Sequence, residues 1–251
     1  MSNQCVYNDD VLSVLNKLTD SSVDLIFADP PYNIGKDFGN NKDKYDKVDY
    51  LEWCYKWISR AFDVLKDNGT FYLMCSTQYM PYLDVFIQEN YNIVQRIVWC
   101  YDSSGVQAKN YFGSLYEPIL MCTKTRKADY TFNRENVLVE AKTGSKRKLI
   151  DYRCNPPRPY NKFKVVGNVW NFNRVRYKMK EYYKHPSQKP MKLLERIILA
   201  SSNPNDLVLD LFSGTGTTAE ICENYNRDCI SIELNPIYCE FIKERVKRTK
   251  L

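Results

Sequence analysis

The 251-residue sequence predicts an α/β fold built on a twisted, mostly parallel sheet. Short apolar runs at 23–28 and 207–211 have the length of buried strands, and they alternate along the chain with stripes of helical spacing. The run at 207–211 leads into a glycine turn and a helix, which is typical of a mononucleotide-binding βαβ unit. With 44% hydrophobic residues, the chain has the size of one domain, 1–251, carrying one insertion.

Helices and strands alternate in the first half of the sequence. Apolar residues at helical spacing follow Asp10, whose carboxylate suits the N-cap of a short helix. The polar stretch 35–49 predicts a mobile loop beside the site. The helical stripe that begins at Leu51 is predicted to end at Asn68 and Gly69. Further strands are predicted at 70–74, 93–100 and 118–122.

The same pattern returns near the end of the chain. Pro190 suits the first turn of a helix that buries leucine and isoleucine and ends before Pro204. The strand at 207–211, a helix through Cys222 and a strand at 229–232 complete the predicted unit.

Positive charge is concentrated in one segment of the chain. Residues 124–184 contain 17 Lys or Arg against 5 Asp or Glu, whereas the rest of the chain is net acidic. Aromatic residues are interleaved with these cations, which favours a nucleic-acid surface over a solvated basic face. We therefore interpret 124–184 as an inserted recognition region. Nine scattered cysteines and one histidine give no zinc pattern, so no metal is predicted, and the lack of long apolar runs predicts a cytoplasmic protein without a membrane span.

The tetrapeptide Asp29, Pro30, Pro31, Tyr32 follows the strand at 23–28 directly. Two prolines fix the backbone and supply no N–H, so rigid carbonyls lie beside a carboxylate and an aromatic ring. Such a rim can accept hydrogen bonds from an amino group while Tyr32 stacks on the planar molecule that carries it. A rigid turn with a packing tyrosine is the simpler alternative. The motif predicts catalysis on an exocyclic amine.

The glycine turn at Gly214 and Gly216 predicts a nucleoside-binding site. Glu233 ends the next predicted strand, where a carboxylate can hold ribose hydroxyls. Because the third glycine of the dinucleotide fingerprint is missing, S-adenosylmethionine fits the pattern better than NAD. By itself this pattern also fits a plain α/β turn.

These motifs together resemble the amino-methylating DNA methyltransferases of the beta arrangement, in which DPPY precedes FxGxG, and in particular the YhdJ-type bacterial adenine methyltransferases. The resemblance covers nearly the whole chain. It includes further segments, namely 24–33, Trp99, 101–105, 116–118, 168–170 and 185–190. It implies a Rossmann-like S-adenosylmethionine-dependent enzyme that makes N6-methyladenine in duplex DNA, at a short site for which ATGCAT is the candidate, without a metal.

The resemblance also implies roles for individual residues. Asp29, Pro30, Pro31 and Tyr32 would be catalytic. The donor would be lined by Phe212, Gly214, Gly216 and Thr217, with Glu233 on its ribose and Ser187, Gln188 and Lys189 at its methionine end. Asp10 would lie near the donor's adenine, although Asp9 replaces the glycine that usually precedes it. His185 is expected to have a framework role.

Duplex DNA is the predicted partner, and the target base must leave the helix before it can be methylated. Candidate DNA contacts within 124–184 are Arg147, Arg153, Arg174 and Arg176, although a surface arginine more often meets phosphate than a base edge. The resemblance is also compatible with a homodimer and with a cognate restriction endonuclease encoded elsewhere.

Other functions fit the sequence less well. Cytosine C5 methylation needs a nucleophilic cysteine, usually after proline, and the chain has no Pro-Cys pair. Cytosine N4 methylation uses the same chemistry and is the nearest rival, although related enzymes more often carry serine in place of Asp29. RNA or protein amide methylation more often starts the motif with asparagine. A catalytically silent DNA-binding protein on this scaffold is the remaining alternative.

Overall fold

The computed structural model describes residues 2–39, 43–102, 109–143 and 146–249. Ser103, Ser104 and Gly105, which contribute to the family resemblance, lie outside these ranges. The strands are β1 Gln4–Tyr7, β2 Val23–Ala28, β3 Leu65–Met74, β4 Asn92–Cys100, β5 Tyr116–Thr123, β6 Leu138–Glu140, β7 Ile150–Asp151, β8 Arg158–Pro159, β9 Phe163–Val165, β10 Val169–Asn171, β11 Leu207–Asp210 and β12 Asp228–Ile232. The helices are α1 Val11–Leu15, α2 Lys47–Val64, α3 Met80–Asn90, α4 Met191–Ser201, α5 Thr217–Asn224 and α6 Pro236–Thr249, and Arg134–Val137 forms a 3-10 turn.

Eight strands form one sheet in the order β1-β12-β11-β2-β3-β5-β4-β10. The first five strands in this order, from β1 to β3, are parallel to one another. Strand β5 is antiparallel to both of its neighbours, and β10 is parallel to β4. The predicted α/β class and mostly parallel sheet are therefore confirmed. Because β2, β11 and β12 run in the same direction, the segments that follow them meet at one edge of the sheet.

The core lies on both faces of the sheet. Within β2, Ile26 and Ala28 belong to one buried cluster, whereas Leu25 and Phe27 belong to the other. This alternation follows from the pleat of a strand that is covered on both sides. Helices α1 to α3 contribute to the first cluster and α4 to α6 to the second.

The predicted helix stop at Asn68 and Gly69 is wrong. Helix α2 already ends at Val64, and both residues lie inside β3, in an irregular stretch between Leu65 and Thr70. A Cβ on Gly69 would lie 2.9 Å from the carbonyl oxygen of Asp24. Glycine is needed here because two strands approach closely, and not because a helix ends.

Part of the basic segment extends the central sheet. Strand β10 pairs with β4, and the indole of Trp170 is buried in the core. The remaining strands of this segment form two separate two-stranded sheets, β6 with β9 and β7 with β8. Within the described residues, no helix has the length and apolarity needed to cross a membrane.

Candidate active site

A cavity of about 320 Å³ opens where β2, β11 and β12 end. Its wall includes Asp29, Pro30 and Pro31 from the turn after β2. Leu211, Phe212 and Gly214 follow β11, and Glu233 follows β12. The remaining residues of the wall are Asp9, Asp10, Val11, Phe38, Asp43, Tyr45, Asp49, Tyr50, Trp53, His185, Ser187, Ile232 and Leu234. The structure thus brings Asp29–Pro31 of the first predicted motif and Phe212 and Gly214 of the second to one cavity, whereas Tyr32 and Gly216 are not part of its wall. Of the predicted loop at 35–49, Phe38, Asp43, Tyr45 and Asp49 line the cavity, and α2 already begins at Lys47.

The Asp29 carboxylate belongs to a buried polar cluster with Tyr32, Glu117 and Lys189. Its Oδ1 accepts a hydrogen bond from the Tyr32 hydroxyl at 2.6 Å, and its Oδ2 lies 2.6 Å from Nζ of Lys189. Glu117 Oε2 lies 2.8 Å from the same hydroxyl and 3.5 Å from the ammonium group. Because the phenol carries one proton, its two short contacts with carboxylates share that proton. The cluster joins the turn after β2 to β5 and to the segment before α4.

Burial and charge act in opposite directions on these groups. Burial raises the pKa of Asp29, and the proximity of Lys189 only partly offsets this. Burial also raises the pKa of Glu117, but the charges of Lys189, Lys36 and Arg174 and the hydrogen bond from Tyr32 outweigh it, so the net shift is downward. For Lys189, the two carboxylates outweigh the effect of burial, and its pKa is raised. An ammonium ion therefore sits among these acids at neutral pH.

Tyr50 fixes the position of the second proline. Its hydroxyl donates a 2.7 Å hydrogen bond to the carbonyl oxygen of Pro31. The ring is almost fully buried and packs edge-on against Tyr79 at 4.7 Å. Tyr50 lies one turn into α2, so this helix supports the Asp29–Tyr32 backbone directly.

The glycine turn after β11 is shaped by contacts from α6. Gly216 has φ = +79°, and a Cβ at this position would lie 2.8 Å from Cγ1 of Ile242. Arg245, which is fully buried, pairs with Glu220 and donates to Oγ1 of Thr217 at 3.1 Å. Both the backbone conformation and the close packing therefore require glycine at 216.

Glu233 is held by the turn that it faces. Its Oε2 accepts a 2.8 Å hydrogen bond from the backbone N–H of Gly214, and its Oε1 accepts one of 2.8 Å from that of Asn235. Burial raises the pKa of Glu233 to about 6, although these backbone donors oppose the shift. The carboxylate thus faces the cavity with a fixed orientation and remaining lone pairs.

An aromatic wall and a helix start complete the cavity. Phe212 packs edge-on against Trp53 at 5.7 Å and Trp57 at 5.2 Å. Asp10 is the N-cap of α1, where its side chain accepts from the N–H groups of Leu12 and Ser13, as predicted, although α1 is only five residues long.

Residues 187–189, predicted together, differ in their surroundings. Ser187 lines the cavity, whereas the side chain of Gln188 bonds to the backbone of Tyr183 and Glu181. Lys189 is directed at Asp29. Thr217 lies in a smaller adjoining recess with Gln188 and Lys189. Their predicted roles at the donor stay predictions.

His185 lines the cavity as a neutral ring. Its Nδ1 accepts a hydrogen bond from the N–H of Ser187, and its ring packs edge-on against Tyr238 at 4.7 Å. Burial, with Lys189 and Lys36 nearby, lowers the pKa of His185 to about 3. These contacts fit the framework role predicted for it.

The four candidate DNA contacts have different environments. Arg147 and Arg176 are exposed, and Arg153 forms a paired hydrogen bond with Asp151. Arg174 is half-buried, with its guanidinium 5.1 Å from the ring centroid of Tyr101. The Tyr101 hydroxyl in turn contacts Glu117 at 3.3 Å, so Arg174 alone of these four lies next to the Asp29 cluster.

Glu117 and Tyr50 were not predicted as site residues. Glu117 lies in segment 116–118, which contributed to the family resemblance, but no role was predicted for it. Nothing in the sequence relates Tyr50 to Pro31. Among the described residues, no group of three or more His, Cys, Asp or Glu side chains is arranged to hold a metal ion.

Comparison with known proteins identifies the family. A family profile described as DNA methylase matches residues 23–244, which is most of the chain. The chain belongs to this DNA methylase family. The DNA adenine methyltransferase YhdJ of Escherichia coli (strain K12) is 53% identical over 243 residues, covering 97% of this chain and 81% of that protein. The Type II methyltransferase M.HpaI of Haemophilus parainfluenzae is 37% identical, covering 94% of this chain and 71% of that protein.

Solved methylase structures have the same fold. The M1.HpyAVI–SAM complex superimposes with a TM-score of 0.66 at 27% identity, covering 96% of this chain and 99% of that chain. The cytosine-N4-specific PvuII DNA methyltransferase gives a TM-score of 0.74 at 17% identity, which supports the fold alone. The predicted resemblance to amino DNA methyltransferases and the predicted methyltransferase fold are confirmed.

Proposed function

We propose that this DNA methylase transfers a methyl group from S-adenosylmethionine to the N6 amino group of adenine in duplex DNA. The observation that carries the proposal is the shared cavity, whose wall contains both the Asp29–Pro31 turn and the Phe212, Gly214 and Glu233 group. An acceptor for an amine and a site for a nucleoside therefore adjoin one space.

The residues of the cavity fit the donor. Glu233 offers an oriented carboxylate to ribose hydroxyls, and Phe212 with Trp53 offers an apolar wall to the rest of the nucleoside. Asp10 and Ser187 also face the cavity and are proposed to meet the adenine and methionine parts. When bound, S-adenosylmethionine supplies a sulfonium methyl group that is already activated for displacement. The M1.HpyAVI–SAM complex supports this choice of donor.

The acceptor side is proposed to orient the target amine. The Asp29 carboxylate and the Pro30 carbonyl would accept its two N–H groups, which directs the nitrogen lone pair away from them. A charged hydrogen bond of this kind contributes about 1.5 to 3 kcal/mol. Alignment of the reacting groups can contribute about 7 to 11 kcal/mol. Positioning by the rigid proline turn, held by Tyr50, would therefore dominate the rate.

Adenine is favoured over cytosine as the target. Identity of 53% to a protein named DNA adenine methyltransferase supports this choice, and so does Asp29 in place of the serine more common in cytosine-N4 enzymes. Tyr32 is proposed to stack on the flipped base, although its hydroxyl is directed at Asp29 and Glu117 in this structure. Stacking of this kind contributes about 1 to 3 kcal/mol per base.

The basic region 124–184 is proposed to bind the duplex and read its sequence. Exposed Arg147 and Arg176 can meet phosphates, Arg153 is engaged by Asp151, and Arg174 can reach toward the base pocket. A homodimer, a cognate restriction endonuclease, a cytoplasmic location and ATGCAT as the recognised site stay predictions.

The proposal is tested by incubating the protein with S-adenosylmethionine and unmethylated duplex DNA, followed by mass spectrometry of the nucleosides and modification-sensitive sequencing. We expect N6-methyladenine at one repeated sequence, and its loss in Asp29→Ala. N4-methylcytosine would favour the cytosine alternative. Donor binding without any modified base would favour a silent scaffold or another substrate.

A further inference from the structure

The ammonium group of Lys189 lies between two carboxylates that are largely, but not fully, buried. Its Nζ is 2.6 Å from Oδ2 of Asp29 and 3.5 Å from Oε2 of Glu117. Only 6% of the residue is exposed, so the ammonium group itself is largely shielded from water. Lys189 thus forms a short ion pair with the carboxylate that is proposed to accept the target amine.

This ion pair competes with the proposed acceptor role of Asp29. Oδ1 of Asp29 already accepts from the Tyr32 hydroxyl, and Oδ2 is engaged by the ammonium group. A neutral amine is a weaker donor than an ammonium ion, because charge strengthens and shortens a hydrogen bond. Each oxygen of Asp29 keeps a second lone pair, so the amine can approach it, but the amine shares Oδ2 with the stronger cationic donor until Lys189 withdraws.

Glu117 offers Lys189 a second position close by. A shift of about 0.7 Å from the present 3.5 Å would bring Nζ to the usual charged hydrogen-bond distance from Glu117. Glu117 is itself fixed by two phenols, since its oxygens contact the hydroxyls of Tyr32 at 2.8 Å and Tyr101 at 3.3 Å. The ammonium ion would remain paired throughout the move, which avoids an isolated buried charge.

We propose that Lys189 occupies the amine-accepting position on Asp29 in the DNA-free protein, and that Glu117 receives its ammonium group when the target amine binds. This inference rests on the proposed function. Glu117 is then a positioning residue, because it acts on Lys189 and does not touch the amine. The arrangement keeps Asp29 oriented and compensated in charge until a base arrives.

The variant Glu117→Gln tests this handover, which is the move of the Lys189 ammonium group from Asp29 to Glu117. Glutamine keeps the length of the side chain, with one oxygen that can accept from the Tyr32 hydroxyl and an NH2 group that can donate to the Tyr101 hydroxyl, but it offers no charge to Lys189. We expect the single-turnover rate of methylation to fall about tenfold or more, with donor affinity by calorimetry within about twofold of the wild type. Glu117→Asp, which restores the charge, should recover part of the rate.

Glu195→Gln is the matched control, since it also removes one carboxylate charge. Glu195 lies on α4, accepts from the Tyr225 hydroxyl and is outside the cavity wall. Its rate should equal that of the wild type. An active wild type with an equally active Glu117→Gln variant would overturn the handover and leave the proposed function intact. A wild type that does not methylate adenine would instead contradict the proposed function.

A crystal structure of the wild-type protein with a target duplex and an unreactive donor analogue tests the move directly. We expect Nζ of Lys189 to lie closer to Glu117 than to Asp29, with the target amine on Asp29. A Lys189 that still contacts Asp29 while the amine is bound would overturn the proposal, whatever the variants show.

Discussion

Gly214 and Glu233 are joined by a 2.8 Å hydrogen bond, in which the backbone N–H of the glycine donates to the carboxylate. This bond ties the turn after β11 to the end of β12, so the floor and one wall of the cavity are fixed relative to each other. The carboxylate that is proposed to hold the donor's ribose is thereby oriented before the donor binds, which reduces the entropy lost on binding.

Replacing Glu233 should weaken donor binding and remove its pH dependence. The pKa of Glu233 is raised to about 6, mainly by burial, so the side chain gains a proton as the pH falls through that value. Ribose hydroxyls donate more strongly to the ionised form, hence affinity should fall between pH 7 and pH 5. Glu233→Gln should lose about 1.5 to 3 kcal/mol of binding free energy at pH 7. Calorimetry at several pH values checks both effects. If donor affinity changes with pH equally in the wild type and in Glu233→Gln, the pH dependence does not come from Glu233.

Tyr50→Phe should slow methylation through the proline turn. The change removes the 2.7 Å hydrogen bond to the Pro31 carbonyl and leaves that carbonyl without its donor. We expect the unfolding free energy to fall by about 1 kcal/mol and the single-turnover rate to fall severalfold. Tyr72→Phe is the matched control, because Tyr72 is equally buried but bonds to Ser201 outside the cavity wall. Similar rate losses in both variants would assign the effect to general destabilisation.

The regular elements could be predicted because local patterns determine them. Asp10 forms the expected cap, and the strand and turn around Gly214 follow from an apolar run that ends in glycines. Asn68 and Gly69 misled the prediction, because their local preference for a helix stop was overridden by the close approach of β2 to β3. The pairing of Lys189 with Asp29 and Glu117 depends on the order of strands in the sheet, which brings three distant segments together. The spacing of residues along the sequence does not indicate this pairing.

Arg245 should be essential for stability, whereas its neighbour Arg248 should not. Both pair with Glu220, but Arg245 is fully buried and also bonds to Thr217, while the Arg248 side chain is 48% exposed. Arg245→Met is expected to cost about 3 to 5 kcal/mol, because it leaves a buried carboxylate poorly compensated. Arg248→Met should cost about 1 kcal/mol or less. Urea unfolding measures both, and equal losses would contradict the difference drawn from burial.

His185 should make the protein sensitive to acid. Its pKa is lowered to about 3, mainly by burial, whereas an unfolded histidine titrates near 6.5. Between these values the unfolded chain binds a proton that the folded protein does not, so stability falls as the pH decreases from about 6.5 to 3. In His185→Asn, which can still accept from Ser187, this component should disappear. The difference in unfolding free energy between the two proteins should therefore be constant above pH 7 and should change below 6.5. If the unfolding free energies of the wild type and His185→Asn change in parallel over the whole pH range, His185 is not the source of the acid sensitivity.

Salt dependence should separate Arg174 from Arg153 at the DNA. Binding strength falls with salt according to the number of phosphates that the protein neutralises, and each lost contact lowers the slope by about 1. Arg153 is already paired with Asp151, so Arg153→Gln should change the slope little. Arg174 lies over Tyr101, and no carboxylate of the described residues is at ion-pair distance from it. If Arg174 contacts a phosphate, Arg174→Gln should lower the salt slope. If Arg174 contacts the target base, the substitution should lower the methylation rate. Titrations at several salt concentrations, combined with single-turnover rates, distinguish the two results. If neither quantity changes in Arg174→Gln, that residue does not contact DNA, and a flat salt response of the wild type would remove the basic region 124–184 from the DNA interface.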